Sequence, residues 1–248
     1  MNPDQISRYA RHIVLKEIGG PGQSKLLAAN VAIVGAGGLG GPAGLYLAAA
    51  GVGRITLIDD DSVDITNLQR QVQFVQTDIG ALKTEAMGDT LKDLNPDITV
   101  RAEQVRLTHE NALDLLSGHD LILDGTDSFE TRFVVNETSL RLGIPLISGA
   151  LGRFDGQLCV FSGDETSGPC YRCLVPSLPP DAETCSEVGI VGALAGIIGA
   201  QMALEAVKFI TGAGTTLLGK LYMFNGLDFS SRIVKLPKAP ACPACGAA

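Results

Sequence analysis

The stretch VAIVGAGGLGG, residues 31–41, has two halves with different jobs. VAIV is a short apolar run rich in β-branched residues and reads as a buried strand. The glycines that follow, Gly35-x-Gly37-x-x-Gly40, allow a tight turn and a close backbone approach. Residues 42–50, PAGLYLAAA, read as a helix with proline in its first turn. Strand, glycine turn and helix in this order place free N–H groups and a partial positive charge where a phosphate can sit. A glycine turn used only for close packing is the alternative.

The second strand, RITLID, ends in Asp59, at about the ~20-residue spacing expected of an acid that holds ribose hydroxyls. The default ligand of such a motif is NAD or FAD. The continuation, LIDDDSVDITNLQRQ (residues 57–71), argues for a different one. Asn67, Arg70 and, further on, Lys83 are donors suited to a triphosphate, which a dinucleotide dehydrogenase does not need. Asp127 closes DLILDGTD on the carboxyl edge of the same sheet, where an acid can hold Mg²⁺ against phosphate oxygens. Singly, each of these side chains is an ordinary surface group. Their combination carries the reading.

Outward from this centre the chain alternates strand and helix. Residues 83–94 read as a helix, ITVRAE as a strand, HENALDLLS as a helix, DLILDGT as a strand, SFETRFVVNETSLRL as a helix and PLISGAL as a strand. This alternation predicts an α/β fold with a Rossmann-like, mostly parallel sheet covered on both faces. From residue 154 the pattern changes. QLCVFSG, KLYMFN and SRIVKL predict an antiparallel C-terminal portion, with a glycine-rich helix over 188–204 between them. The expected organisation is one domain, 1–248: a helical arm over 1–30 broken at Pro21–Gly22, a nucleotide-binding part over 31–153, and a carrier-binding and zinc part over 154–248.

Composition narrows the function classes. The chain is 46% hydrophobic and 19% charged with a formal net charge of −8, which excludes disorder and argues against nucleic acid as a partner. The N-terminus shows no signal-peptide pattern, and the 188–204 segment is short for a membrane span and bounded by Glu187 and Glu205. A cytoplasmic location without membrane association is expected.

Four of the six cysteines form two pairs, Cys170–Cys173 in CYRC and Cys242–Cys245 in CPAC. Two such pairs make a Cys₄ tetrahedral site, closed and therefore structural, for zinc; two redox or disulfide pairs are the alternative. This predicts a zinc-tied tail. Cys159 alternates with apolar residues and reads as core. Cys185, in the long 163–187 loop, is either an activated thiol or a plain loop cysteine.

These motifs in this order resemble the E1-like MoeB/ThiF/HesA family of sulfur-carrier-protein adenylyltransferases. RYARHI, GxGGLG, LIDDDxVxxxNLQRQ, Lys83, DGTD, CYRC, the loop cysteine and the terminal CPAC carry the likeness over nearly the whole chain. The resemblance implies ATP and Mg²⁺ as ligands, structural Zn²⁺, and a small ubiquitin-like sulfur carrier ending in Gly-Gly whose terminal carboxylate receives AMP as pyrophosphate leaves. It implies that the glycine turn (Gly35, Gly37, Gly38, Gly40), Asp59, Asp61 and the segment Thr66, Asn67, Leu68, Gln69 and Arg70 line the ATP site. Gly38 would touch ATP, Asp59 the ribose, and Asn67, Arg70 and Lys83 the phosphates, while Asp127 would hold magnesium. Arg11 matches an arginine reaching the triphosphate from the other subunit of a homodimer. Cys185 matches the loop cysteine of members that receive sulfur from a donor protein. One departure stands out: Asp127-Ser128 occupies a place where the family often reads Asp-Asn. Molybdopterin-type and thiamine-type members both share features with this chain. An NAD(P)-dependent oxidoreductase and a non-catalytic nucleotide-binding module are the alternatives. The absence of a histidine in a catalytic motif (His12, His109 and His119 are the three) fits a carboxylate nucleophile, which is ionised near neutrality with a pKa of about 3.5.

Overall fold

The computed structural model describes residues 1–164, 168–178 and 189–246. Eight strands form one sheet in the order β3-β2-β1-β4-β5-β6-β7-β8. The first five, β1 (Asn30–Val34), β2 (Arg54–Ile58), β3 (Thr99–Glu103), β4 (Leu121–Asp124) and β5 (Leu146–Gly152), pair in parallel. The last three, β6 (Asp155–Phe161), β7 (Lys220–Asn225) and β8 (Ser230–Lys235), pair antiparallel, starting at the β5–β6 hairpin. The expected α/β architecture with an antiparallel C-terminal portion is borne out.

Period-two alternation explains why the sheet has two cores. In β1, Val31 and Ile33 face one side, and Ala32 and Val34 the other. The first side is covered by α4 (Gly40–Ala50), α5 (Lys83–Leu94) and a long helix, α9 (Gly192–Thr211). The second side is covered by α6 (Ala112–Leu116) and α7 (Phe129–Leu142) through Leu116, Val134 and Val135. By length and composition α9 is apolar enough to cross a membrane. Here one side of it, including Leu194, Ile198 and Met202, packs into the first core.

Two local expectations are corrected. Pro21–Gly22 does not break the arm. The arm consists of α1 (Pro3–Arg8), α2 (Ala10–Ile13) and α3 (Gly19–Ala28), and Pro21 falls in the first turn of α3, where a missing N–H costs nothing. The helix expected over 109–117 starts only at Ala112. Asn111 takes the N-cap position, its Oδ1 accepting from Thr108 N–H at 2.8 Å while its Nδ2 donates to the Arg106 carbonyl at 2.9 Å.

His119 is a buried fold residue. Its ring bridges the Leu116 carbonyl (3.0 Å) and the Thr56 hydroxyl on β2 (2.9 Å). Burial holds its pKa below the usual imidazole value. The unfolded chain, with a histidine pKa of about 6.5, therefore takes up the proton first, and stability falls as pH drops below that value. Urea titrations at pH 7.5 and 5.5 are expected to show a steeper loss for the wild type than for His119→Gln, by at most about 1.4 kcal/mol per pH unit. Equal losses in both proteins would remove His119 from the account.

Candidate nucleotide site and cysteine cluster

The sheet order reverses between β1 and β4, and ligands of open α/β sheets bind at such a switch point. A cavity of about 800 Å³ lies there. Its wall is built by the turn after β1 and the turn after β4. Gly35 has φ +90°, a backbone conformation that favours glycine, and a side chain on it would crowd the Gly125 carbonyl carbon at 3.1 Å where the two turns meet. A Cβ on Gly40 would lie 1.9 Å from the Gly35 carbonyl oxygen, so Gly40 lets α4 begin directly on the turn. Gly37 and Gly38 line the cavity, and Arg70 lies alongside Gly38. From outside, the Gln73 side chain braces the turn, donating to the Ala36 and Gly37 carbonyls at 2.8 and 3.2 Å.

Asp59, one residue past β2, accepts from the backbone N–H of Ala36 (2.7 Å) and Asp61 (2.9 Å), so the acid is tied to the glycine turn itself. Burial pushes its pKa up, against the opposing pull of Lys83. Lys83 opens α5 and is buried; its Nζ donates to Asp61 Oδ2 at 2.6 Å. Asn67 spends its Oδ1 on the Asp64 N–H (3.1 Å) in a capping box, and Arg70 donates to the Thr66 carbonyl at 2.9 Å. Asp127 and Ser128 line the cavity from the turn after β4. Ser128 is the N-cap of α7, accepting from Thr131 N–H at 3.3 Å. Serine and asparagine cap helices equally well, so the departure from Asp-Asn preserves the start of this helix.

The structure thus brings Gly35, Gly37, Gly38, Asp59, Asp61, Asn67, Arg70, Lys83, Asp127 and Ser128 to one cavity. Gly40, Thr66, Leu68 and Gln69 support its wall without lining it; Leu68, for instance, packs against the first core. Arg11 is exposed on α2 and does not line this cavity. Cys185 lies outside the described residues. Among the described residues no histidine lines the cavity, in keeping with the sequence reading. Cys159 is buried in the second core, and burial pushes its thiol up to about 12.

Sequence reasoning missed Gln71, Arg106, Arg132 and Arg153, which also line the cavity. Gln71 is buried, and its Oε1 is an enclosed acceptor with no partner among the described residues. Five basic side chains (Arg70, Lys83, Arg106, Arg132, Arg153) face the cavity with five acidic ones (Asp59, Asp60, Asp61, Asp127, Asp155) in a chain of net charge −8. That mixture suits an anion accompanied by a cation.

The four cysteines form a second centre. Cys170 is the N-cap of the short helix α8 (Tyr171–Leu174), and Cys242 and Cys245 lie in the tail. Their Sγ atoms all lie within 4.8 Å of one another, with Cys170–Cys242 at 3.6 Å and Cys173–Cys245 at 3.5 Å. A tetrahedron with Zn–S distances of about 2.3 Å has edges of about 3.8 Å, so the set fits zinc. Asn136 Nδ2 donates to Cys170 Sγ (3.7 Å) and Ala239 N–H to Cys173 Sγ (3.4 Å), the support that metal-bound thiolates receive. Burial pushes the Cys170 thiol up to about 11, and a bound cation would relieve that.

The family model for the ThiF family matches residues 9–244. The chain belongs to the ThiF family. As a ThiF-family protein it is 43% identical to a sulfur carrier protein adenylyltransferase of Thermus thermophilus, over 98% of this chain and 92% of that one. It is 42% identical to a probable adenylyltransferase/sulfurtransferase, MoeZ, of Mycobacterium tuberculosis, over 98% of this chain and 63% of that longer one. A crystal structure of E. coli MccB with ATP superposes with a TM-score of 0.82 at 25% identity, over 99% of this chain and 75% of that one. This ThiF-family chain is accordingly a nucleotidyltransferase of the MoeB/ThiF type.

Proposed function

We propose that the chain uses ATP–Mg²⁺ to adenylate the C-terminal Gly-Gly carboxylate of a ubiquitin-like sulfur carrier, of the molybdopterin or thiamine type, with release of pyrophosphate. The observation that carries this reading is the meeting of the glycine turn, the ribose acid Asp59, the donors Arg70 and Lys83, and Asp127 in one cavity at the switch point. The adenylyltransferases among its relatives support it. In this reading Gly37 and Gly38 admit the phosphates, Asp59 holds the ribose, and Asn67, Arg70 and Lys83 hold the triphosphate. Asp127 would hold Mg²⁺, which supplies positive charge to the phosphates. The chain acts as a homodimer, with Arg11 completing the partner's site.

The chemistry follows from these roles. A carboxylate oxygen of the carrier attacks the α-phosphorus of ATP, the bond to the β-phosphate bridging oxygen breaks, and pyrophosphate leaves. The attacker is already ionised, so no general base is needed. The task is to bring two anions together and to stabilise the charge that moves onto pyrophosphate, which fixed cationic donors achieve.

Asp59→Ala is expected to weaken ATP binding by about 10–100-fold, the worth of a hydrogen bond to a charged group. Isothermal titration with ATP checks this, and unchanged affinity would exclude Asp59 from the ribose. The reading as a whole is tested by incubating the chain with ATP–Mg²⁺ and either a molybdopterin-type or a thiamine-type carrier. Mass spectrometry should find an AMP adduct on one of them. If neither carrier gains AMP although ATP binds, the proposed substrate is wrong.

A further inference from the structure

Beneath the turn that carries Asp127 lies a buried ion pair, between the first residue of DGTD and an arginine of α7, to which the nucleotide reading gives no role. Asp124 is the last residue of β4 and 1% exposed; Arg132, on α7, is 5% exposed. Asp124 Oδ1 accepts from the Thr126 N–H (3.1 Å) and the Thr126 hydroxyl (2.7 Å). Its Oδ2 accepts from the Ser148 hydroxyl (2.9 Å) and from Arg132 Nη1 (3.4 Å). Arg132 Nη1 also donates to Ser148 Oγ (3.1 Å), and Nη2 donates to the Thr126 carbonyl. The N–H and C=O of Thr126 are thus both held by one charge pair, and Thr126 immediately precedes Asp127. On its other side the guanidinium lies 6.0 Å from the centre of the Tyr171 ring.

A buried ion pair is a poor route to stability, since apolar residues of similar volume do as well, but it does fix geometry. Of the two, only Arg132 lines the cavity, and its charge is already met by the buried Asp124 carboxylate. What the pair does add is a hold on both sides of one residue: the Asp124 carboxylate takes the Thr126 N–H, while the planar, forked guanidinium reaches Asp124 and Ser148 through Nη1 and the Thr126 carbonyl through Nη2, a geometry an ammonium does not reproduce. We propose that Arg132 is a positioning residue for adenylation: with Asp124 it locks Thr126 and thereby aims Asp127 at the phosphates and their cation. This rests on the reading of Asp127 given above.

The test is Arg132→Lys, which keeps the charge and loses the fork. ATP–pyrophosphate exchange would be measured with the carrier across a Mg²⁺ titration, alongside thermal melts and Asp127→Ala. Arg132→Lys is expected to fold, to lose about 10–100-fold in kcat, and to need about tenfold more Mg²⁺ for half-maximal exchange, as when a partner behind a metal-binding residue is removed. A change in stability alone does not move the Mg²⁺ midpoint. If Asp127→Ala is inactive while folded Arg132→Lys keeps the wild-type rate and Mg²⁺ midpoint, the positioning role is overturned. If Asp127→Ala itself exchanges normally, the assignment of Asp127 falls first, and separately. Should Arg132→Lys fail to fold, the neutral pair Asp124→Asn/Arg132→Gln takes its place. It too lacks the fork, and the same two readouts decide.

Discussion

Lys83→Ala is expected to lower the rate of adenylation by about 10²–10³-fold, the usual effect of losing one donor to transition-state charge. Lys83 is well placed for that role. It is buried at the first position of α5, where the helix N-terminus adds its own partial positive charge, and it lines the cavity across from the glycine turn. In the structure its Nζ rests on Asp61, which is two-thirds exposed. Removing the lysine leaves Asp61 in solvent but takes from Asp59 the charge that opposes its burial, so a modest loss of thermal stability is expected beside the loss of rate. Arg70→Ala is expected to behave alike in rate, because Arg70 is anchored through the Thr66 carbonyl and lies along Gly38. Single-turnover formation of the carrier adenylate, measured beside melting curves, checks both. A wild-type rate in either variant would exclude that residue from the charge-stabilising set.

The second large effect concerns the tail. The chain as purified without chelator is expected to carry one zinc, and Cys170→Ser to lose it. Cys170 and Cys242 are 72 positions apart, so the metal closes a long loop. On the chain-entropy model for a cross-link of that length the loss is about 4 kcal/mol, or about 10–15 °C in melting temperature for a chain of this size. ATP binding at low temperature should survive, because the four sulfurs sit apart from the phosphate wall of the cavity. Metal analysis with a melting curve tests this. Metal-free protein of unchanged stability would contradict it.

What was legible in the sequence was what is encoded locally. The glycine turn declares itself because strand, turn and helix are contiguous, and Gly35 and Gly40 perform in space the close approaches that their spacing suggests. Arg70 and Lys83 stood out because their residue types are wrong for a dinucleotide site. The cysteine pairs stood out by spacing, and the sulfurs do converge. The Asp124–Arg132–Ser148 network was not legible. Asp124 opens the DGTD motif, but Arg132 on α7 and Ser148 on β5 match none, and the parallel pairing of β4 with β5 brings Ser148 to Asp124. Gln71 was hidden for a similar reason, since its buried, unpartnered Oε1 is visible only once the cavity exists. The misread at Pro21 has a simple source: proline breaks a helix in its interior but not in its first turn, and the sequence alone did not say where α3 begins.

In the function proposed above, this cavity activates a carrier carboxylate with ATP. ATP–pyrophosphate exchange tests it most directly, run with the full chain, Mg²⁺ and a ubiquitin-like carrier ending in Gly-Gly. Exchange should appear only when the carrier's terminal carboxylate is free, and should vanish when the two glycines are deleted. Tight binding of NAD with no ATP binding and no carrier-dependent exchange would contradict the account.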